Sequence, residues 1–284
     1  MSAAIQPRRV VVTGMGAVSP LGNDVASTWE GLVAGRSGVR RIEAFDPSRL
    51  NSQMAGEVRG FDASGVLDRK DLRRIDRYIQ FGLVAARQAM DQAGIPQRLE
   101  GEHAEHTGVI LGTGLGGVGT IIEAVTTSVT RGPDRISPFF IPYGIPNVGA
   151  GQIAISFGMT GPNFTTVSAC ATGGHAIGES WETIRRGDAE VMIAGGSEAG
   201  IYEALVGGFA AMRALSQRND DPEGASRPFD QGRDGFVIGE GAGVIVLEAL
   251  EHAEARGAEP LAELVGYGAT ADASHITLPV VRPQ

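Results

Sequence analysis

The chain has 284 residues, 42% of them hydrophobic, and a formal net charge of -9 at pH 7. This length is enough for one large globular domain, and the acidic balance argues against a general nucleic-acid-binding role, while leaving room for a local basic patch. No apolar run reaches the roughly 18 residues needed to span a bilayer, and the N-terminal segment lacks the apolar stretch of a signal peptide. The single cysteine excludes a framework of intramolecular disulfides. Together these features predict a cytoplasmic protein.

Apolar runs of strand length alternate with longer segments of helical period, which predicts an α/β protein with largely buried strands. The predicted strands cover 8–15, 106–114, 163–169, 190–198 and 242–249. The predicted helices cover 24–35, 69–94, the segment after Cys170, and 250–257. A last strand-like segment covers 261–279, close to the end of the sequence. Because no helix follows it, we expect either an edge element or a shortened chain.

The only cysteine, Cys170, lies in the stretch TTVSACATGGHAIGES, residues 165–180. After it, Ile177, Trp181 and Ile184 recur at i, i+4 and i+7, which predicts a helix with one apolar stripe. Cys170 would then lie at a turn between a buried strand and this helix. Free N–H groups at the helix start favour a thiolate and could hold an oxyanion. The alternative is a small buried hydrophobic side chain, which is the commonest role of a lone cysteine.

Two further features of this helix bear on its function. Gly173 and Gly174 each cost about 1 kcal/mol relative to alanine, so we expect close approach of another backbone or of a substrate arm. His175 lies five residues after Cys170, about 140° around a helix, so the two side chains should diverge. We therefore expect His175 to be a core or packing residue and not a base for the cysteine.

The segment VSACATGGHAIG resembles the active-site segment of the β-ketoacyl-acyl carrier protein synthases, condensing enzymes of the thiolase fold. Further stretches resemble the family in the same order: VVVTGMGAVSPLG, GRSGV, ISPFFIP, AGGSEAG, GGFAAMRALS, RPFDQGRDGFVIGEGAG and DASHIT. The elongating synthase II branch is the most similar. The resemblance implies a layered αβαβα, thiolase-like fold. It also implies that residues 1–257 form the N-terminal ketoacyl-synthase domain and that 258–284 begin the C-terminal one.

The same resemblance implies the chemistry. Cys170 would accept an acyl group from carrier-protein phosphopantetheine, and the enolate formed by decarboxylation of malonyl-carrier protein would attack that thioester, as in fatty-acid elongation. Leu115, Phe140 and Phe209 would line the acyl pocket, with Phe209 as a gate beside the cysteine, although ordinary core packing is an alternative for all three. The family also implies a homodimer and no metal or organic cofactor.

Acyl carrier proteins are acidic, so an acidic synthase needs a local basic surface. Basic side chains recur at helical spacing at Arg69, Lys70, Arg73, Arg74 and Arg77. The resemblance implies carrier docking at Lys70, Arg73, Arg74, Arg135 and Arg213. Asp134 stands where the family often has a basic residue, which should weaken docking. The alternative is a solvated helix face whose arginines pair with Asp71 and Asp76.

The family's condensation step also uses two histidines, the first in a motif like HGTGT, and this sequence contains no such motif. Its histidines are His103, His106, His175, His252 and His275, and none matches a catalytic position. We therefore predict no measurable condensing activity, while Cys170 keeps its ability to react with an acyl donor. The ending LPVVRPQ departs from the family after DASHIT, which predicts a truncated or frameshifted reading.

Two other functions are alternatives to this interpretation. GTGLGG, residues 112–117, satisfies the G-x-G-x-x-G pattern of dinucleotide-binding oxidoreductases, but RISPFFIPYGIPN follows its helix where a second strand ending in an acidic residue belongs. A catalytically silent heterodimer partner, as in some polyketide systems, usually lacks the cysteine that is present here. No spacing of cysteine, histidine or carboxylate residues suggests a metal site.

Overall fold

The computed structural model describes residues 8–277. Its main element is a six-stranded sheet in the order β5-β4-β6-β7-β1-β8. The strands of this sheet are β1 (Val10–Val18), β4 (Thr107–Gly112), β5 (Asn163–Phe164), β6 (Val191–Glu198), β7 (Gly241–Ala249) and β8 (Ala262–Leu264). β4 runs parallel to β5 and β6, whereas β7 is antiparallel to β6 and β1, and β8 is antiparallel to β1. A separate hairpin pairs β2 (Val39–Arg41) with β3 (Met54–Gly56).

Helices form the rest of the regular structure. In the described residues they are α1 (Val25–Val33), α2 (Arg77–Ala93), α3 (Gly101–Glu105), α4 (Val118–Arg131), α5 (Phe140–Gly144), α6 (Val148–Phe157), α7 (Thr172–Arg186), α8 (Glu203–Ala211) and α9 (Leu250–Ala255). None of the helices in this part of the chain is long and apolar enough to cross a membrane.

The central strands of the sheet are buried on both faces, which is why they read as continuous apolar runs. Leu111 and Ile193 point into the core that α2 and α6 cover. Their neighbours Ile110 and Met192 point into a second core, which α7 covers from the other side. The α/β prediction is confirmed, and the six-stranded sheet lies between two helical layers, which makes three of the five layers that the family resemblance implies.

Three predicted elements are shorter than expected. The helix predicted over 69–94 begins at Arg77, because the Asp76 side chain accepts the N–H of Tyr78 and caps the helix there. The strand predicted over 163–169 is limited to β5, which is exposed. The strand predicted over 261–279 is limited to β8, and residues 278–284, which hold LPVVRPQ, lie outside the described residues.

Candidate active site

Cys170 lies in a 3₁₀ turn, Ala169–Ala171, that leads directly into α7. We call these three residues the cysteine turn. Cys170 is exposed and free, so the alternative of a buried hydrophobic cysteine is wrong. No side chain caps the start of α7, so the N–H groups of its first turn lack a side-chain acceptor. Their partial positive charge therefore lies beside the cysteine turn, where it can stabilise a developing oxyanion.

A loop, and not the predicted buried strand, connects β5 to the cysteine turn. Two threonines tie this loop to α7: Thr166 Oγ1 donates to the carbonyl of Thr172 at 2.9 Å, and Thr172 Oγ1 donates to the carbonyl of Thr166 at 2.6 Å. The N–H of Thr113, just after β4, also donates to the Thr166 carbonyl at 3.3 Å. Because threonine hydroxyls compete with neighbouring strands for backbone groups, the strand ends before the cysteine.

Ala169 has a φ of 50°, in the left-handed region that side chains other than glycine rarely adopt. Such a backbone costs about 1 kcal/mol or more and persists only where surrounding contacts hold it. One contact comes from residues 113–117 after β4, which we call the glycine loop. A Cβ built on Gly114 in this loop would lie 3.7 Å from the Ala169 Cα. The backbone of the cysteine turn is thus strained and held from outside.

Glycines let α7 begin against the sheet. A Cβ on Gly112 of β4 would lie 2.7 Å from the Thr172 carbonyl oxygen, and one on Gly196 of β6 would lie 3.2 Å from the Gly173 Cα. The predicted close approach of another backbone is therefore confirmed at Gly173. Apart from its own helix, no atom of residues 8–277 comes within 4 Å of a Cβ built on Gly174. Protein packing is the wrong explanation at that position, and the substrate alternative stays a prediction.

The half-buried carboxylate of Glu198 organises the glycine loop beside the cysteine turn. It accepts the N–H groups of Gly114 at 2.7 Å and Leu115 at 3.2 Å, and the Thr113 hydroxyl at 3.3 Å. Burial raises the pKa of Glu198 despite these donors. Sequence reasoning missed this residue, and the available signal was an acidic side chain ending the apolar strand EVMIAGGSE.

The same contacts explain the G-x-G-x-x-G match. Two of the loop's backbone N–H groups bind the chain's own Glu198, and a Cβ on Gly117 would lie 1.9 Å from the Tyr143 carbonyl oxygen. The glycines thus allow packing against the protein itself. This agrees with rejecting the dinucleotide-binding interpretation.

The three predicted pocket residues lie on separate elements. Leu115 is on the glycine loop and is 41% exposed. Phe140 begins α5 and is half-buried. Phe209 on α8 is half-buried and its ring meets that of Phe236 edge to face, with centroids 5.4 Å apart. Leu115 lies near the cysteine turn, because its neighbour Gly114 faces Ala169. The acyl-pocket role of all three residues stays a prediction.

The predicted docking residues are mostly on the surface. Lys70, Arg73, Arg135 and Arg213 are exposed, and Arg74 stacks on Phe139 with its guanidinium carbon 4.4 Å from the ring centroid. Asp134 is exposed beside Arg135 in the turn Pro133–Arg135.

The helical spacing that suggested a single basic face is wrong, because α2 begins only at Arg77. The half-buried Arg77 side chain is also bonded within the chain: it donates to Glu240 at 2.9 Å and to the Val58 carbonyl at 2.8 Å. Asp76 is buried and accepts the N–H and hydroxyl of Thr120, both at 2.8 Å. The alternative of a solvated helix with arginines paired to Asp76 is therefore wrong as well.

His175 has the packing role that its position predicts. Its Nδ1 lies 2.5 Å from the Ser168 hydroxyl oxygen, and its ring meets the Tyr267 ring edge to face with centroids 6.5 Å apart. It is half-buried.

The other four histidines belong to other surroundings. His103 and His106 line a groove at the amino ends of β4 and β6, whereas the cysteine turn lies at the carboxyl ends of these strands. His252 bonds to the buried Glu248 at 2.8 Å, and His275 is exposed in the segment after β8. Within residues 8–277, no group of three His, Cys, Asp or Glu side chains is placed to hold a metal ion.

Comparison with known proteins identifies relatives along nearly the whole chain. The 3-oxoacyl-[acyl-carrier-protein] synthase 2 of Staphylococcus aureus strain N315 is 49% identical over 274 residues, 96% of this chain and 66% of the relative. The enzyme of the same name from Coxiella burnetii strain RSA 493 is 48% identical over 275 residues, 97% of this chain and 66% of the relative. The chain thus spans 66% of the length of these curated relatives.

Solved structures of similar fold also belong to ketosynthases. A beta-ketoacyl synthase from Burkholderia phymatum STM815 superposes with a TM-score of 0.86 at 36% identity, covering 95% of this chain and 66% of that one. A ketosynthase solved in complex with its type II polyketide acyl-carrier protein gives a TM-score of 0.83 at 35% identity, covering 95% and 65%. These likenesses confirm the thiolase-like fold. The family profile for the N-terminal domain of beta-ketoacyl synthases matches residues 7–253, and the chain therefore belongs to the beta-ketoacyl synthase family.

Proposed function

We propose that this chain supplies the acyl-accepting part of a 3-oxoacyl-acyl carrier protein synthase of fatty-acid elongation, with Cys170 as the nucleophile. The observation that carries the proposal is the free, exposed cysteine beside the uncapped start of α7. The curated relatives, named 3-oxoacyl-[acyl-carrier-protein] synthase 2, favour the fatty-acid enzyme over a polyketide ketosynthase. The retained cysteine argues against a silent partner.

The proposed step is a transfer between two thioesters. The Cys170 thiolate attacks the carbonyl carbon of the acyl-carrier thioester, and the carbonyl oxygen becomes an oxyanion. Backbone N–H groups at the start of α7, with that of Cys170 itself, hold this oxygen. Collapse of the intermediate expels the phosphopantetheine thiolate and leaves the acyl group on the sulfur. Gly174, with open space where a side chain would be, gives the pantetheine arm room to approach.

The partner in this step is an acidic acyl carrier protein. We propose that it docks on Lys70, Arg73, Arg74, Arg135 and Arg213. Four of these cations are exposed and carry the attraction, and Arg74 adds to it while stacked on Phe139. We further propose that the chain forms a homodimer and needs no cofactor. We also propose an acyl pocket that includes Leu115, Phe140 and Phe209, and a domain boundary between residues 257 and 258.

The second half-reaction, condensation with malonyl-carrier protein, is not part of the activity that we propose for this chain. Decarboxylation of malonyl-carrier protein places negative charge on the thioester oxygen, and losing one donor there typically costs about 3 kcal/mol. None of the chain's five histidines matches the family's two catalytic ones. We therefore propose that the 284-residue chain accepts an acyl group without condensing it.

The test is the intact mass of the purified chain after incubation with an acyl-carrier thioester. We expect one acyl group per chain, mapped to the peptide that holds Cys170, and none on the matched Cys170→Ser variant. Acylation at another residue, or equal labelling of the variant, contradicts the assignment of the nucleophile. Formation of a 3-oxoacyl product on addition of malonyl-carrier protein contradicts the proposal that this chain does not condense.

A further inference from the structure

We propose that Ser168 and His175 form a positioning pair that holds Cys170 at the start of α7, and that residues 264–267 keep this pair in place. The inference rests on the proposed function, because it concerns the sulfur that accepts the acyl group. It assigns His175 a part in the reaction that is neither acid nor base.

The cysteine turn needs such a support. Ala169, the residue before Cys170, has a φ of 50°, which alanine disfavours. The bonds between Thr166 and Thr172 close the loop around the turn but leave Ser168 and Ala169 inside it. A further contact must therefore fix the backbone next to the sulfur.

The bond between Ser168 and His175 provides this contact. The Ser168 hydroxyl lies 2.5 Å from Nδ1 of His175, which joins the residue before the turn to the first full turn of α7. The Ser168 carbonyl accepts the N–H of Ala171 at 3.2 Å. Ser168 is thus held through both its side chain and its main chain. Because Nδ1 is engaged by the serine, the imidazole acts as an anchor.

His175 is in turn held by a distant part of the chain. The Tyr267 ring contacts it edge to face and lies over Gly178, where a Cβ would come within 2.1 Å of the ring. One turn further along α7, the indole N–H of Trp181 donates to the Leu264 carbonyl at 2.8 Å. The segment after β8 therefore packs along the helix that carries the cysteine and ends against the positioning pair.

Alkylation with iodoacetamide tests the pair, and its product is unambiguous because the chain has one cysteine. Losing one ordinary hydrogen bond should slow Cys170 alkylation about three- to tenfold in Ser168→Ala and in His175→Leu. The double variant should be no slower than the slower single one. Ser168→Thr and His175→Asn, which keep hydrogen-bonding groups, should retain most of the wild-type rate.

Thr165→Val is the matched control. Thr165 lies in the same loop, and its buried hydroxyl has no hydrogen-bond partner within the described residues, so the wild-type rate is expected. Tyr267→Ala should slow alkylation, with no further loss when it is combined with His175→Leu. Far-UV circular dichroism establishes that each variant folds, and if Ser168→Ala fails to fold, Ser168→Thr and His175→Asn decide the outcome.

Wild-type rates in both single variants, additive losses in the double variant, or an equal loss in Thr165→Val would overturn the positioning role. Alkylation needs no acyl donor. If the variants show the expected alkylation pattern but the chain accepts no acyl group, the proposed function is contradicted. The positioning role of Ser168 and His175 is then still supported.

Discussion

Replacing Glu248 by glutamine should destabilise the fold and change its response to acid. Glu248 lies on β7 and is completely buried. Its carboxylate accepts Nε of Arg256 and Nδ1 of His252, each at 2.8 Å, and also the Thr13 hydroxyl on β1. Glu248→Gln keeps the volume of the side chain but removes the charge that balances the Arg256 guanidinium.

The size of the effect follows from the pKa. Burial opposes ionisation of Glu248, but the bonds from Arg256, His252 and Thr13 outweigh it and lower the pKa from 4.5 to about 2. A difference of this size corresponds to about 3 kcal/mol of stability. Because the pKa is lowered on folding, this contribution is fully present above pH 4.5 and is lost as the pH falls towards 2. About 2 kcal/mol of it should disappear between pH 5 and pH 3.

Urea denaturation at pH 5 and at pH 3 measures this contribution. The wild-type protein should be about 3 kcal/mol more stable than Glu248→Gln at pH 5, and this advantage should shrink by about 2 kcal/mol at pH 3. Glu254→Gln, which changes an exposed carboxylate on α9, serves as the control and should cost little. An advantage of the same size at both pH values would refute the account of Glu248.

Three further predictions concern the site and the proposed docking surface. Gly112→Ala places a Cβ 2.7 Å from the first carbonyl oxygen of α7, so it should destabilise the chain by about 1–3 kcal/mol and slow Cys170 alkylation. Gly174→Ala meets no atom within 4 Å outside its own helix in the described part of the chain, so it should keep the fold or stabilise it by up to about 1 kcal/mol in thermal unfolding. Reversing both charges in Lys70→Glu/Arg73→Glu should weaken acyl-carrier binding about tenfold at low salt, as measured by fluorescence anisotropy. An unchanged affinity would remove these cations from the docking surface.

Periodic and chemically distinctive segments were predictable from the sequence. The Ile177, Trp181 and Ile184 stripe gave α7 its correct face, because an amphipathic helix carries its own orientation in its spacing. The central strands β4 and β6 were recognisable as short apolar runs since they are buried on both sides. The position of Cys170 at a turn before α7 was predicted, although a loop and not the predicted strand precedes that turn.

The errors arose where a side chain bonds to the backbone or where distant segments meet. The Asp76 cap delays the start of α2, and the Thr166 and Thr172 hydroxyls replace a strand with a loop. The commitment of Arg77 to Glu240 depends on a contact 163 residues away, which no local pattern encodes. Glu198 was missed for the same reason, because its role lies in the loop that it binds.

The order of strands in the sheet has a consequence for how this chain acquires its structure. β1 is synthesised before both of its neighbours, β7 and β8, which come from residues 241–264. Until residues 241–264 leave the ribosome, the apolar strand β1 has neither of its pairing partners. Such non-local pairing slows folding and exposes strand edges to aggregation. We therefore expect nascent chains that stop short of β7 to depend on chaperones.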